Sequence, residues 1–222
     1  VFKEKMSASA KAISQERSAA AEKLAKDVED LLDQLQMKSA RFMVSLLKKT
    51  DPEGLVIDGE AYAFDSRGVD TAEFLIEPNP GEGFKPLAKI ASGGETSRLM
   101  LALKHALAEV DHIPTLIFDE IDSGIGGRVG AIVGQLLWQL SRRRQVLCVT
   151  HLPQLAAYGD QHFHVRKETA SGRTQTIVEE LAGTERETEL AAMIGPLTPG
   201  TRQSAQEILH SAGVFTGKIQ AE

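Results

Sequence analysis

The chain has 222 residues, 25 basic against 31 acidic side chains, a formal net charge of −6 and one cysteine. A chain of this length buries a core without a metal or cross-link, and the lone Cys148 cannot form an internal disulfide, which excludes a disulfide-stapled secreted scaffold and fits a reducing cytosol. No apolar run nears the roughly 20 residues needed to cross a bilayer, and no signal peptide opens the chain, so no membrane partner is expected. Charge is uneven: residues 1–50 carry a net +3 and the rest a net −9. The acidic body removes the easy argument for nucleic-acid binding from a basic isoelectric point. Val1 is not an initiator methionine and stands inside a helical pattern, so the chain reads as a fragment.

Residues 3–49 contain no Gly and no Pro and are rich in helix-forming residues. Leu24, Val28, Leu31 and Leu35 follow the alternation of a coiled-coil seam, and Phe42 and Leu46 continue it past Lys38. Upstream the seam weakens to Ala21, Arg17 and Ser14. A helix of this extent would be about 70 Å long, more than a domain of this size covers. Residues 1–50 are therefore expected to be one arm of an antiparallel coiled coil, the bland alternative being an amphipathic helix on a globular core. Asp51-Pro52-Glu53-Gly54 ends the helix. Leu55–Ile57, Ala61–Phe64 and Phe74–Ile76 read as short strands separated by Gly59 and Gly68, and 79–83 as a loop. A helix begins near 93, a buried strand covers Thr115–Phe118, a helix runs from about 127 to 141, and Val146–Val149 forms a second buried strand. Strands separated by a helix predict a parallel α/β sheet. A polar antiparallel hairpin is expected over 160–181, turning at Ser171-Gly172, and two helices near 184–194 and 201–212 close the chain.

Four motifs carry chemistry. In Ser92-Gly93-Gly94-Glu95, ahead of a helix, two glycines allow close approach of a phosphate and the helix start aims N–H groups at it; an ordinary cap reads the same way. Asp119-Glu120 ends a buried strand, where α/β sheets place ligands; a strand breaking into solvent would also end so. In an NTPase the first acid supports Mg2+ and the second orients or deprotonates the attacking water. Asp122-Ser123-Gly124-Ile125-Gly126-Gly127-Arg128 is a Gly-rich turn into a helix. Val149-Thr150-His151 ends the second strand, so in a parallel sheet His151 shares an edge with Glu120, although a lone histidine at a strand end is usually a satisfied polar residue.

In this order the four resemble the signature motif, Walker B strand, D-loop and switch histidine of an ATP-binding-cassette ATPase head. Lys89–Arg98, Phe118–Arg128 and Gln145–Gln154 together resemble the RecN family, bacterial SMC-like ATPases associated with double-strand break repair. The resemblance implies an α/β fold, the C-terminal lobe of an ABC/SMC-type P-loop NTPase head with an N-terminal coiled-coil helix, dividing into 1–50 (returning arm) and 51–222 (head half). Ala91 and Glu95 stand where transporter cassettes carry Leu and Gln, which favours the SMC-like branch; Gly126 stands where many cassettes carry the D-loop Asp.

No G-x-x-x-x-G-K-[ST] loop exists in the chain, and Gly217-Lys218 lacks its context. The resemblance puts that Walker A loop on a separate N-terminal segment, the first expected partner, so the chain alone is expected to be inactive and to bind ATP weakly. It further implies ATP and Mg2+ as cofactors, with Asp119 on Mg2+ through water, Glu120 and His151 catalytic, and Ser92, Gly93, Gly94 and Glu95 reaching ATP held by a second head. Asp122 is a weaker D-loop candidate for the same contact. A homodimer through ATP-sandwiched heads, double-stranded DNA ends as partner, and a bacterial cytoplasmic, nucleoid-associated location are implied likewise. The competing readings are another SMC-like head, a transporter motor and a non-catalytic coiled-coil scaffold; the last has no need of Asp119, Glu120 and His151 together. Arg142-Arg143-Arg144 reads as a cationic helix end rather than a DNA contact, His162 and His164 as a poor metal site, and Trp138 as core.

Overall fold

A computed structural model describes residues 1–89, 93–170 and 173–220. Two compact units divide the chain, Val1–Ser92 and Gly93–Glu222.

In the first unit, helix α1 (Phe2–Gln34) is followed by strands β1 (Arg41–Lys48), β2 (Thr50–Ile57), β3 (Glu60–Tyr62), β4 (Asp70–Glu77) and β5 (Lys85–Pro86) and a 3-10 turn at Leu87–Lys89. The helix expected as far as residue 49 stops at Gln34, and Gln36 takes a left-handed φ of 59°. Phe42 and Leu46, read as a heptad continuation, instead alternate inward with Val44 along β1, which pairs antiparallel with β4 from Arg41↔Glu77 to Lys48↔Asp70. The reason is tertiary: a ladder with β4 and the Phe42–Phe74 ring contact at 5.6 Å outweigh a helical preference of a few tenths of a kcal/mol per residue. The boundary drawn after residue 50 thus falls at the first residue of β2.

The hairpin β2–β3 turns through Asp58-Gly59, with φ of 50° and 90°, the two consecutive positive values that a tight two-residue hairpin requires. Helix α1 lies along these strands. Ala10 packs with Leu55, Ile57 and Val69, while Val28, Leu32 and Leu35 are buried further along. The weakened stretch of the seam is the docked face: Ser14 Oγ donates to Asp70 Oδ1 at 2.8 Å, and Arg17 Nη1 to Asp70 Oδ2 at 3.2 Å. Asp70 is 1% exposed, so these partners satisfy an otherwise costly buried charge.

In the second unit, helix α2 (Gly93–Ala106) precedes β6 (Thr115–Phe118), α3 (Gly127–Ser141), β7 (Gln145–Cys148), a short α4 (Pro153–Ala156), the hairpin β8–β9 (His162–Ala170 and Arg173–Leu181), α5 (Gly183–Ile194) and α6 (Pro199–Phe215). Strands β6 and β7 are parallel, as the alternation of strand and helix predicts. Helix α3 buries Val129, Val133, Leu136, Leu137 and Leu140, one stripe at helical spacing, each contributing about 1.5–3 kcal/mol. Tyr158, Leu190, Ala191, Ala205 and Ala212 form a second cluster, against which Trp138 packs edge-on to Phe215 at 5.8 Å. Helix α6 starts from a Thr198–Thr201 capping box and ends near the C-terminal tail. The expected turn at Ser171-Gly172 lies outside the described residues. No described helix is long and apolar enough to cross a membrane.

Candidate functional site

The site begins with the register of β6 and β7. Their ladder runs from Thr115↔Gln145 to Phe118↔Cys148, and the Val149 N–H extends it by donating to the Phe118 carbonyl at 2.9 Å. Asp119-Glu120 and Thr150-His151 therefore leave the sheet at the same carboxyl edge, where open α/β sheets bind ligands.

Both acid side chains are exposed there. Asp119 Oδ1 accepts the Glu120 N–H at 2.9 Å, and the Asp119 carbonyl accepts Ser97 Oγ at 2.9 Å. Glu120 holds a left-handed φ of 55°, a conformation costing about 1–2 kcal/mol for a residue with a side chain. That twist carries its carboxylate against the start of α2: a Cβ placed on Gly93 would lie 2.5 Å from Glu120 Oε2. Gly94 is as closely approached from the next turn, where a Cβ would lie 2.8 Å from the Ser123 carbonyl oxygen and 2.9 Å from Ser123 Cβ. The paired glycines thus serve an approach of loop to helix within the chain. Glu95 is exposed in the first turn of α2, and Ser92 lies outside the described residues.

Two residues that the motif search passed over bind this arrangement together. Ser97 holds the Asp119 carbonyl, and Arg98, 7% exposed, donates from Nη1 to the Ser123 carbonyl at 2.8 Å. Burial lowers the Arg98 pKa, with Glu95 opposing the shift. The available signal was spacing: Ser97 and Arg98 fall four residues after Gly93 and Gly94, on the same helical rows.

The sequence offers Asp122 as a weaker D-loop candidate for the nucleotide contact. Its carboxylate is 4% exposed and turned inward, where Oδ2 accepts from Thr150 Oγ1 at 2.5 Å and from the His151 N–H at 2.8 Å and lies 3.0 Å from His151 Nδ1. Thr150 Oγ1 in turn accepts the Leu152 N–H at 3.0 Å. His151 itself is 73% exposed. Gly126 is the N-cap of α3. Below the edge, burial pushes the Cys148 thiol up to about 12, with Asp122 and Asp119 adding to the shift.

The basic run resolves into three separate roles. Arg144 is 4% exposed and donates to the carbonyls of Ala108 and Asp111, Arg142 stacks over Trp138 at 5.3 Å, and Arg143 reaches Glu109 at 3.9 Å. His164 Nδ1 meets Glu189 at 2.9 Å, and among the described residues no three His, Cys, Asp or Glu side chains gather as a metal site.

A sheet edge organised in this way, with a helix between parallel strands, defines the fold class as α/β. By sequence, the chain belongs to the RecN family within that class. It is 42% identical over 208 residues to DNA repair protein RecN of Haemophilus influenzae, covering 93% of this chain and 35% of that protein. To DNA repair protein RecN of Streptomyces coelicolor it is 40% identical over 205 residues, covering 91% and 36%. The chain thus spans about a third of the length of these curated relatives. No family model matches it. Among solved structures, the Smc head domain with a coiled coil and joint from Pyrococcus yayanosii is 21% identical, with a TM-score of 0.48 over 79% of this chain and 29% of that one. The Smc head domain of Pyrococcus furiosus bound to the C-terminal domain of ScpA is 19% identical, with a TM-score of 0.48 over 80% and 38%.

Proposed function

We propose that this chain is the C-terminal half of an SMC-like ATPase head that acts in DNA double-strand break repair and recombination, with ATP sandwiched between two heads. The observation that carries the reading is the meeting of α2, the Asp119-Glu120 pair and the Thr150-His151 strand end at one sheet edge. The DNA-repair role is supported by the name of the RecN relatives, DNA repair protein, and double-stranded ends are the partner proposed for it.

The residues present fit Mg-ATP. Asp119 is an exposed carboxylate at a strand end, and a Mg2+ ion bound with substrate phosphates needs only one or two such ligands. Mg-ATP, when bound, supplies the phosphoanhydride to be cleaved and the cation that neutralises charge on the phosphates. Asp119 is the residue that would hold Mg2+. Glu120 polarises the attacking water and takes its proton, and His151 presents Nε2 to the γ-phosphate. Gly93, Gly94 and Glu95 begin α2, and with Ser92 they are the residues that one head offers to the nucleotide of its partner, adding N–H donors when the triphosphate is in place. Glu120, resting against Gly93 in the single chain, moves off the helix start as the heads engage.

Completion by a segment carrying the Walker A loop is supported by the sheet. Among the described residues β7 pairs only with β6, and Ile117, Leu147 and Val149 are 73%, 46% and 63% exposed. Parallel sheets are normally covered on both faces, and two strands alone are marginal. Helix α1 is proposed to be the returning arm of the coiled coil, and the complete protein to work in the bacterial cytoplasm on the nucleoid. Replacing Glu120 by Gln in the full-length protein should slow ATP turnover by about 10²–10⁴-fold and accumulate ATP-dependent dimers. Turnover at the wild-type rate would overturn the assignment.

A further inference from the structure

His151 stands on a short exposed strand end, and an imidazole there has two nitrogens and free rotation about its side-chain bonds. Its position is nonetheless fixed from below. Asp122 Oδ2 accepts the His151 N–H at 2.8 Å and lies 3.0 Å from the ring Nδ1, so one oxygen stands against backbone and ring together. The same oxygen is held by Thr150 Oγ1 at 2.5 Å, and that hydroxyl is oriented by the Leu152 N–H at 3.0 Å. The carboxylate is 4% exposed, whereas the imidazole it holds is 73% exposed. Nothing in the stability of a surface histidine calls for a buried charge beneath it. Burying a carboxylate is costly, and here both of its donors, and the imidazole beside it, come from the tip of one strand.

We propose that Asp122, with Thr150 as its brace, is a positioning residue that fixes the His151 ring through Nδ1, so that Nε2 is the nitrogen offered at the sheet edge. The inference rests on the reading of His151 as the residue that meets the γ-phosphate. It gives Asp122 a role inside its own head rather than at the partner's nucleotide. A carboxylate on Nδ1 keeps that nitrogen protonated and the ring in one orientation, the arrangement used wherever an imidazole must act through its other nitrogen.

The test is a double-mutant cycle on ATP turnover in the full-length protein, with D122A, D122N, H151A and the two double variants. D122A is expected to lose about 10–100-fold, and D122N less, because the Asn side chain keeps an oxygen beside Nδ1. In the H151A background both Asp122 substitutions should have no further effect. A loss from D122A or D122N that persists in full in the H151A background would overturn the inference, as would wild-type turnover by D122A. Should D122A fold poorly, D122N alone carries the cycle, since it preserves shape. An H151A protein with wild-type turnover would refute the role of His151 itself, and the inference with it. A slow H151A protein with additive Asp122 losses would refute the inference only.

Discussion

Substituting Gly94 by Ala tests whether α2 and the Gly-rich turn meet as closely as described. The new methyl carbon would lie 2.8 Å from the Ser123 carbonyl oxygen, 2.9 Å from Ser123 Cβ and 3.3 Å from Arg98 Nη1. Two of these contacts belong to the turn itself, so the loop must shift, and the shift pulls the Ser123 carbonyl from Arg98, the bond that ties the loop to α2. Overpacking of this kind costs about 1–3 kcal/mol, and the better helix propensity of Ala returns at most about 1. A net loss of about 1–2 kcal/mol corresponds to a fall in Tm of about 2–8 °C for a chain of this size. Gly200, in the first turn of α6, is the internal control. Only Thr198 Oγ1 lies near a Cβ there, at 3.8 Å, so Gly200→Ala should stabilise by about 0.4–1 kcal/mol through the unfolded state. Denaturant unfolding of the two variants should move their midpoints in opposite directions. Equal stability, or a Gly94→Ala protein more stable than wild type, would refute the close approach.

Two further outcomes follow from buried titrating groups. Burial, then Arg186, lowers the pKa of His162, whose Nδ1 is buried without a partner among the described residues. Because the folded value lies below the ordinary 6.5, the unfolded chain takes up protons first, so His162 contributes its stability above pH 6.5 and loses it as pH falls toward the folded value. His162→Gln should flatten stability across that window in denaturant titrations at stepped pH, and an unchanged slope would count against it. With its thiol near 12, Cys148 should alkylate with iodoacetamide at pH 8 far more slowly in the native protein than after denaturation. Equal rates would contradict its burial.

Legibility differed between the units for physical reasons. In the second unit the chemistry-bearing motifs sit at element ends, marked by Gly and by buried apolar runs. The expected strand Thr115–Phe118 and helix 127–141 match β6 and α3, and the parallel pairing follows from their alternation. In the first unit, Lys38–Lys49 contains no Gly or Pro, and its pairing with β4 is a contact some thirty residues away in sequence that helix propensity cannot register. The alternation Phe42, Val44, Leu46 was the readable signal, and it competed with a heptad spacing that two of those same residues also satisfy. Short α4 escaped notice because four residues carry no periodicity. At the site, Asp119, Glu120 and His151 were readable as residue types at strand ends. The inward turn of Asp122 was not, because its partners Thr150 and His151 lie nearly thirty residues on. Arg98 was hidden by the same effect: a buried arginine becomes legible only once the Ser123 carbonyl that receives it is placed beside α2.

The central claim is that one head's helix start completes the nucleotide site of another. Mixing two inactive full-length proteins, one carrying Glu120→Gln and the other Ser92→Arg, tests it most directly. In a mixed dimer with shared sites both defects fall on one nucleotide, leaving the other with an intact Glu120 and an intact partner Ser92. The account predicts that ATP turnover reappears on mixing. A mixture as inactive as its two components, under conditions where mixed dimers form, would contradict it.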